Sequence, residues 1–81
     1  MRQRVRELWV SYEQQVLPPN CSDVQRQETR RSFYAGAFGL FDAVTVAMSD
    51  DEGVSPEDER VLMDLAAERE VYLANVRLGR A

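Results

Sequence analysis

Apolar residues recur along this chain with a helical period and nowhere with the alternation of a strand. Val5, Leu8, Trp9, Tyr12 and Val16 return every three or four positions, which predicts an amphipathic helix over residues 2–17. Pro18-Pro19 ends it, because neither proline can donate a helical hydrogen bond and the first disfavours the helical conformation of the residue before it. A start signal follows, with Ser22 as N-cap and Gln25 in the third helical position in the form of a capping box. No breaker then appears before Ser49, so the second helix should run over residues 23–48, about 39 Å at 1.5 Å per residue. The polar run from Ser49 to Gly53 separates it from a third helix over residues 56–78. Ser55 is that helix's expected N-cap, Pro56 fits the first position, and Glu57, Asp58 and Glu59 lie near the positive end of the helix dipole. Leu62, Leu65, Ala66, Tyr72 (or Leu73) and Val76 carry its apolar period to Gly79, which suits a helix C-terminus.

The expected fold is all-α: a single domain spanning residues 1–81, three helices, the second and third forming a long antiparallel hairpin across a short loop. The second helix also argues for self-association. A 100° projection puts Phe33, Ala37, Leu40, Phe41, Val44 and Met48 on one side, and Ser32, Gly36, Gly39, Ala43 and Ala47 on a neighbouring stripe. Tyr34, Phe38 and Thr45 fill a third sector, leaving only Arg31, Ala35 and Asp42 as a narrow polar or neutral strip. A helix apolar around most of its circumference needs more cover than two shorter helices supply, and a neighbouring subunit is the simplest source. The expectation is a homo-oligomeric helical bundle. Gly36 and Gly39 each cost about 1 kcal/mol against alanine inside a helix. Close helix packing, or room for a ligand or a partner's side chain, would offset that cost.

Composition narrows the function. The net charge of −4 is uneven: residues 1–48 hold six arginines against five acids, and residues 49–81 hold four against nine. Direct nucleic-acid binding is disfavoured, since a phosphate-tracking surface should be strongly basic. No histidine or lysine is present, which removes the commonest general base and the Schiff-base nucleophile. Cys21 is the one cysteine and has no histidine to activate it. No catalytic residue, metal site or cofactor is expected, and the protein reads as a non-enzyme. Asp50-Asp51-Glu52-Gly53 lacks the ligand spacing of a calcium loop and reads as solvated acid, with phosphate mimicry a lesser alternative. No signal peptide or membrane-length apolar segment is visible, so a soluble cytoplasmic protein is expected.

The candidate ligand residues are Arg30, Arg31, Phe33 and Tyr34, with Gly36 and Gly39 as positions of close packing or ligand access. Guanidiniums beside aromatic rings can pair with phosphate and stack a base, the two contacts a nucleotide requires. The competing reading pairs both arginines with acids of the third helix or its loop and leaves the two rings in the core.

The stretch Arg30-Arg31-Ser32-Phe33-Tyr34-Ala35-Gly36-Ala37, preceded by Leu8-Trp9 and Leu17-Pro18-Pro19 and followed by an acidic helix start, resembles small accessory proteins of tailed phages and prophages. The resemblance implies a protein that counters host defence by binding in the host cytoplasm. Two mechanisms compete: sequestering a small anionic nucleotide signal in an intersubunit pocket, or covering a host defence protein with a helical face. A structural phage component is a third possibility.

Overall fold

The computed structural model describes residues 1–48 and 55–80. Within them the chain is three α-helices with no strand: α1 (Arg4–Val16), α2 (Asp23–Met48) and α3 (Pro56–Arg77). The acidic Asp50-Asp51-Glu52-Gly53 segment lies outside the described residues. None of the described helices is long and apolar enough to cross a membrane.

The helix ends follow the local chemistry. Ser22 Oγ accepts the Gln25 N–H at 3.0 Å, and Ser55 Oγ accepts the Asp58 N–H at 3.1 Å with Pro56 in the first turn. At the far end of α3, Gly79 adopts φ +72°. Its N–H bonds the Val76 carbonyl at 3.0 Å and the Arg80 N–H bonds the Asn75 carbonyl at 2.8 Å, the paired bonds of a Schellman turn. The turn requires a left-handed residue, and glycine adopts it without a Cβ penalty. It folds Arg80 back along the helix.

Where α1 begins, the chain supplies no such cap. Gln3 makes no capping bond from its side chain. Instead Glu68 reaches across from α3, its two carboxylate oxygens accepting the Val5 N–H at 2.9 Å and the Arg6 N–H at 3.0 Å. These are two of the orphan donors of a helix start, at the positive end of the dipole, so a buried carboxylate is satisfied there. Glu68 is only 5% exposed. One turn earlier on α3, Asp64 pairs with Arg4 at 3.2 Å. The two acids fasten the tip of α1 to the middle of α3.

The core is small. Val5 and Trp9 of α1 and Tyr34 and Phe38 of α2 are buried, with Leu17, Phe33, Ala37, Leu65 and Tyr72 packed partly buried around them. Aromatic rings do most of the joining. Trp9 lies 5.6 Å from Phe33, and Tyr72 of α3 stacks on Tyr34 at 5.2 Å and leans on Phe38 at 5.4 Å. Arg26–Glu13 (2.9 Å) and Arg69–Asp42 (3.1 Å) tie α2 to its neighbours. The contacts 34 to 72 and 42 to 69 run in opposite directions along α2 and α3, which touch each other less than either touches α1.

Of the three apolar sectors of α2, the core takes the one with Tyr34 and Phe38 and only the first part of the one with Phe33 and Ala37. Tyr34 and Phe38 are the buried positions, while Leu40 is 68% exposed and Val44 is also exposed. The cause is the unequal length of the helices. α1 has 13 residues against 26 in α2, so it shelters only the first half of its neighbour. Beyond Phe41 the helix has only α3 beside it. The Cα radius of gyration is 14.5 Å, against about 11.7 Å for a compact chain of this length.

A candidate anion-binding cleft

Arg30 and Tyr34 stand one turn apart on α2, and both line a cleft of about 250 Å³ that opens where the three helices meet. From α1 come Gln3 and Arg6; from α3 come Glu68, Tyr72 and Asn75; beyond the Gly79 turn comes Arg80. Three guanidiniums thus share one depression with a single carboxylate. Both oxygens of that carboxylate are occupied by backbone N–H groups of α1, and the cleft has an excess of positive charge. No carboxylate of the described residues lies in ion-pair range of Arg6, Arg30 or Arg80. Arg6 holds only the Gln3 side-chain oxygen, at 3.4 Å.

The Arg30 guanidinium sits 5.0 Å from the centroid of the Tyr34 ring, within cation–π range. This contact favours one orientation of an otherwise flexible side chain, and Arg30 lines the cleft beside Tyr34. Because Tyr34 is engaged by both Arg30 and Tyr72, it offers little free face to a base. The planar surfaces left to a ligand are the Arg30 guanidinium and the half-buried Tyr72. Arginine planes stack on bases as aromatic rings do.

The other candidates separate from this pair. Arg31 pairs with Glu28 on its own helix at 3.4 Å and borders a shallower depression with Ser32, Ala35 and Val76. Phe33 turns to the opposite side of the core, where it packs on Trp9 and on Tyr12 at 5.2 Å. Gly36 and Gly39 lie outside the cleft, and a Cβ built on either would meet nothing within 4 Å. Within one chain no other helix approaches them closely. Among the described residues no ion pair joins Arg30 or Arg31 to an acid of α3, and the loop acids of the competing reading lie outside the described residues.

Arg6, Arg80 and Glu68 were not evident as cleft residues from the local sequence. Glu68 carries a signal all the same: it falls on the Val61, Leu65, Tyr72 side of α3, an acid on an apolar stripe, in a chain whose first helix lacks a capping side chain. Arg80 has only the Gly79 turn to announce it.

Nearby, the exposed Arg2 donates to Glu7 at 2.8 Å and holds that carboxyl below its ordinary value. Among the described residues no group of three or more His, Cys, Asp or Glu side chains could hold a metal ion. No family model matches the chain, and no curated protein or solved structure matches it.

Proposed function

We propose that this chain is a non-enzymatic, self-associating helical protein that captures a small anionic nucleotide in the cleft between its three helices. The observation that carries the reading is the Arg30 guanidinium, oriented by Tyr34 and sharing one cleft with Arg6 and Arg80 without an ion-paired carboxylate. Phosphate would take the guanidinium donors, for which their forked geometry suits it. The base would lie against Arg30 and Tyr72, and Asn75 offers an amide for its edge. At about 250 Å³ the cleft is smaller than the roughly 300–1,000 Å³ of pockets for drug-sized ligands, so it would hold the phosphate and one face of the base while the rest of a mononucleotide stays in solvent. The residues of this cleft come from one chain, so the reading has capture within the protomer, a change from the intersubunit pocket that the resemblance implies.

The phage resemblance supplies the biological setting of the proposal: a protein in the host cytoplasm that counters defence by withholding a nucleotide signal. Calorimetric titration with a panel of linear and cyclic nucleotides tests the binding. At least one should bind and be recovered unchanged, with Arg30→Ala weakening it about 10- to 100-fold, as expected for lost charge-assisted hydrogen bonds. Absence of binding across the panel, or equal binding by Arg30→Ala and Arg80→Ala, would overturn the reading.

A further inference from the structure

The side of α2 turned away from the core is uncharged over four turns. Ser32, Gly36, Gly39, Ala43 and Val46 follow one another at intervals of four, three, four and three residues along that side, and all are exposed. Leu40, Val44 and Ala47 flank the line, with Leu40 68% and Val46 75% exposed. The one charged residue between Ser32 and Ala47 is Asp42, at the edge of this surface and held by Arg69. A surface helix ordinarily turns charged and polar residues outward. Here the outward side is as apolar as the inward one.

We infer that this face is covered by the same face of a second copy, the two α2 helices crossing antiparallel with closest approach at Gly36 and Gly39. The inference deepens the self-association in the proposed function and rests on it, but it is independent of nucleotide capture.

The area is the first argument. The chain exposes 6056 Å², whereas a compact monomer of its mass exposes about 5,000 Å². The excess of about 1,000 Å² is close to the roughly 800 Å² that each partner buries in an interface of standard size.

Spacing is the second. The four-three alternation is the repeat by which two helices keep one seam in contact along their length. A two-fold axis lets one chain supply both halves of such a seam and closes the assembly at two. Exposed Val46 on the line and exposed Leu40 beside it bring apolar area, and the glycines bring the axes toward the short end of the 8–10 Å range. That approach also explains two mid-helix glycines whose missing side chains serve nothing within the single chain. Running the helices antiparallel opposes their dipoles, whereas a parallel pair would align them.

Light scattering on the purified protein tests the assembly at about 100 µM, where a dimer with a Kd of about 1 µM is almost fully formed. The expected mass is twice the 9.3 kDa of one chain. Ala43→Arg and, separately, Val46→Glu should each return the mass of a single chain with helical circular dichroism retained, since both side chains are exposed in the protomer. Arg30→Ala should remain a dimer, and Ala43→Arg should keep nucleotide binding, so failure of one proposal is distinguishable from failure of the other. Orientation is read by oxidative cross-linking in a Cys21→Ser background. Ser32→Cys should couple to Ala43→Cys of a partner chain and not to itself. A wild-type mass of one chain or of more than two, an unchanged mass in both charged variants, or a dominant Ser32→Cys self-coupled product would overturn the inference.

Discussion

The two halves of α2 differ in what surrounds them, and the more apolar half is the less covered. Over residues 26–38 the helix lies against α1 and α3, its rings of Phe33, Tyr34 and Phe38 locked among Trp9, Tyr12 and Tyr72. Over residues 39–47 it is more apolar, yet Leu40, Val44 and Val46 are exposed, and among the described residues one ion pair, Arg69–Asp42, joins it to a neighbouring helix. Hydrophobicity alone therefore does not tell which part of a helix builds the protomer's core. The reach of the neighbours decides it, and α1 is half as long as α2. The sheltered half carries the ligand cleft; the uncovered half is left to serve a second copy.

The largest expected effect separates the halves by stability. Trp9→Ala removes the ring that covers Phe33 and should cost about 3–5 kcal/mol. Leu40→Ala on the uncovered half should change the stability of a protomer held monomeric by Ala43→Arg by less than about 0.5 kcal/mol. Chemical denaturation of the two variants checks the contrast, and a Leu40→Ala loss as large as that of Trp9→Ala would erase it.

Next in size is Glu68. Its replacement by alanine leaves two N–H groups of α1 without their acceptor, and a hydrogen bond to a charged group contributes about 1.5–3 kcal/mol. We expect a total loss of about 2–4 kcal/mol in denaturant unfolding, since the solvent then admitted satisfies part of the exposed donors. Glu68→Gln keeps one acceptor and should fall between wild type and alanine. The hydrogen exchange of the Val5 and Arg6 amides should rise in both variants.

The glycines give the smallest effect and the sharpest one, because its sign depends on the state measured. In the monomeric background Gly36→Ala and Gly39→Ala should each stabilise by about 1 kcal/mol, the ordinary helix-propensity difference, as the added Cβ meets nothing. In the dimer the same changes should weaken association, since each added methyl separates the helix axes. Denaturation and light scattering of the same two proteins would then move in opposite directions.

Much of the fold was legible because the chain punctuates itself. Pro18-Pro19, the Ser22 cap, Ser55-Pro56 and Gly79 place the end of α1, the start of α2 and both ends of α3 within one residue, each by a local constraint, whereas the start of α1 has no such signal. The orientation of α2 was not legible, because a helix apolar nearly all round offers its neighbours several faces and the choice depends on their lengths and approach. The cleft was legible in part. Arg30 and Tyr34 are one turn apart and fall together in any helix, whereas Arg6 and Arg80 join them only through the docking of α1 by Glu68 and the turn at Gly79. Phe33, adjacent in sequence to Tyr34, points 100° away and belongs to the core.

The claim that α2 is sheltered by its own chain in one half and by a second copy in the other is tested most directly by amide hydrogen exchange along that helix at two protein concentrations. Protection of residues 39–47 should rise with concentration, and Ala43→Arg should abolish the rise, while residues 26–38 stay equally protected throughout. Protection of residues 39–47 that is the same at both concentrations, with light scattering at the mass of a single chain, would contradict it.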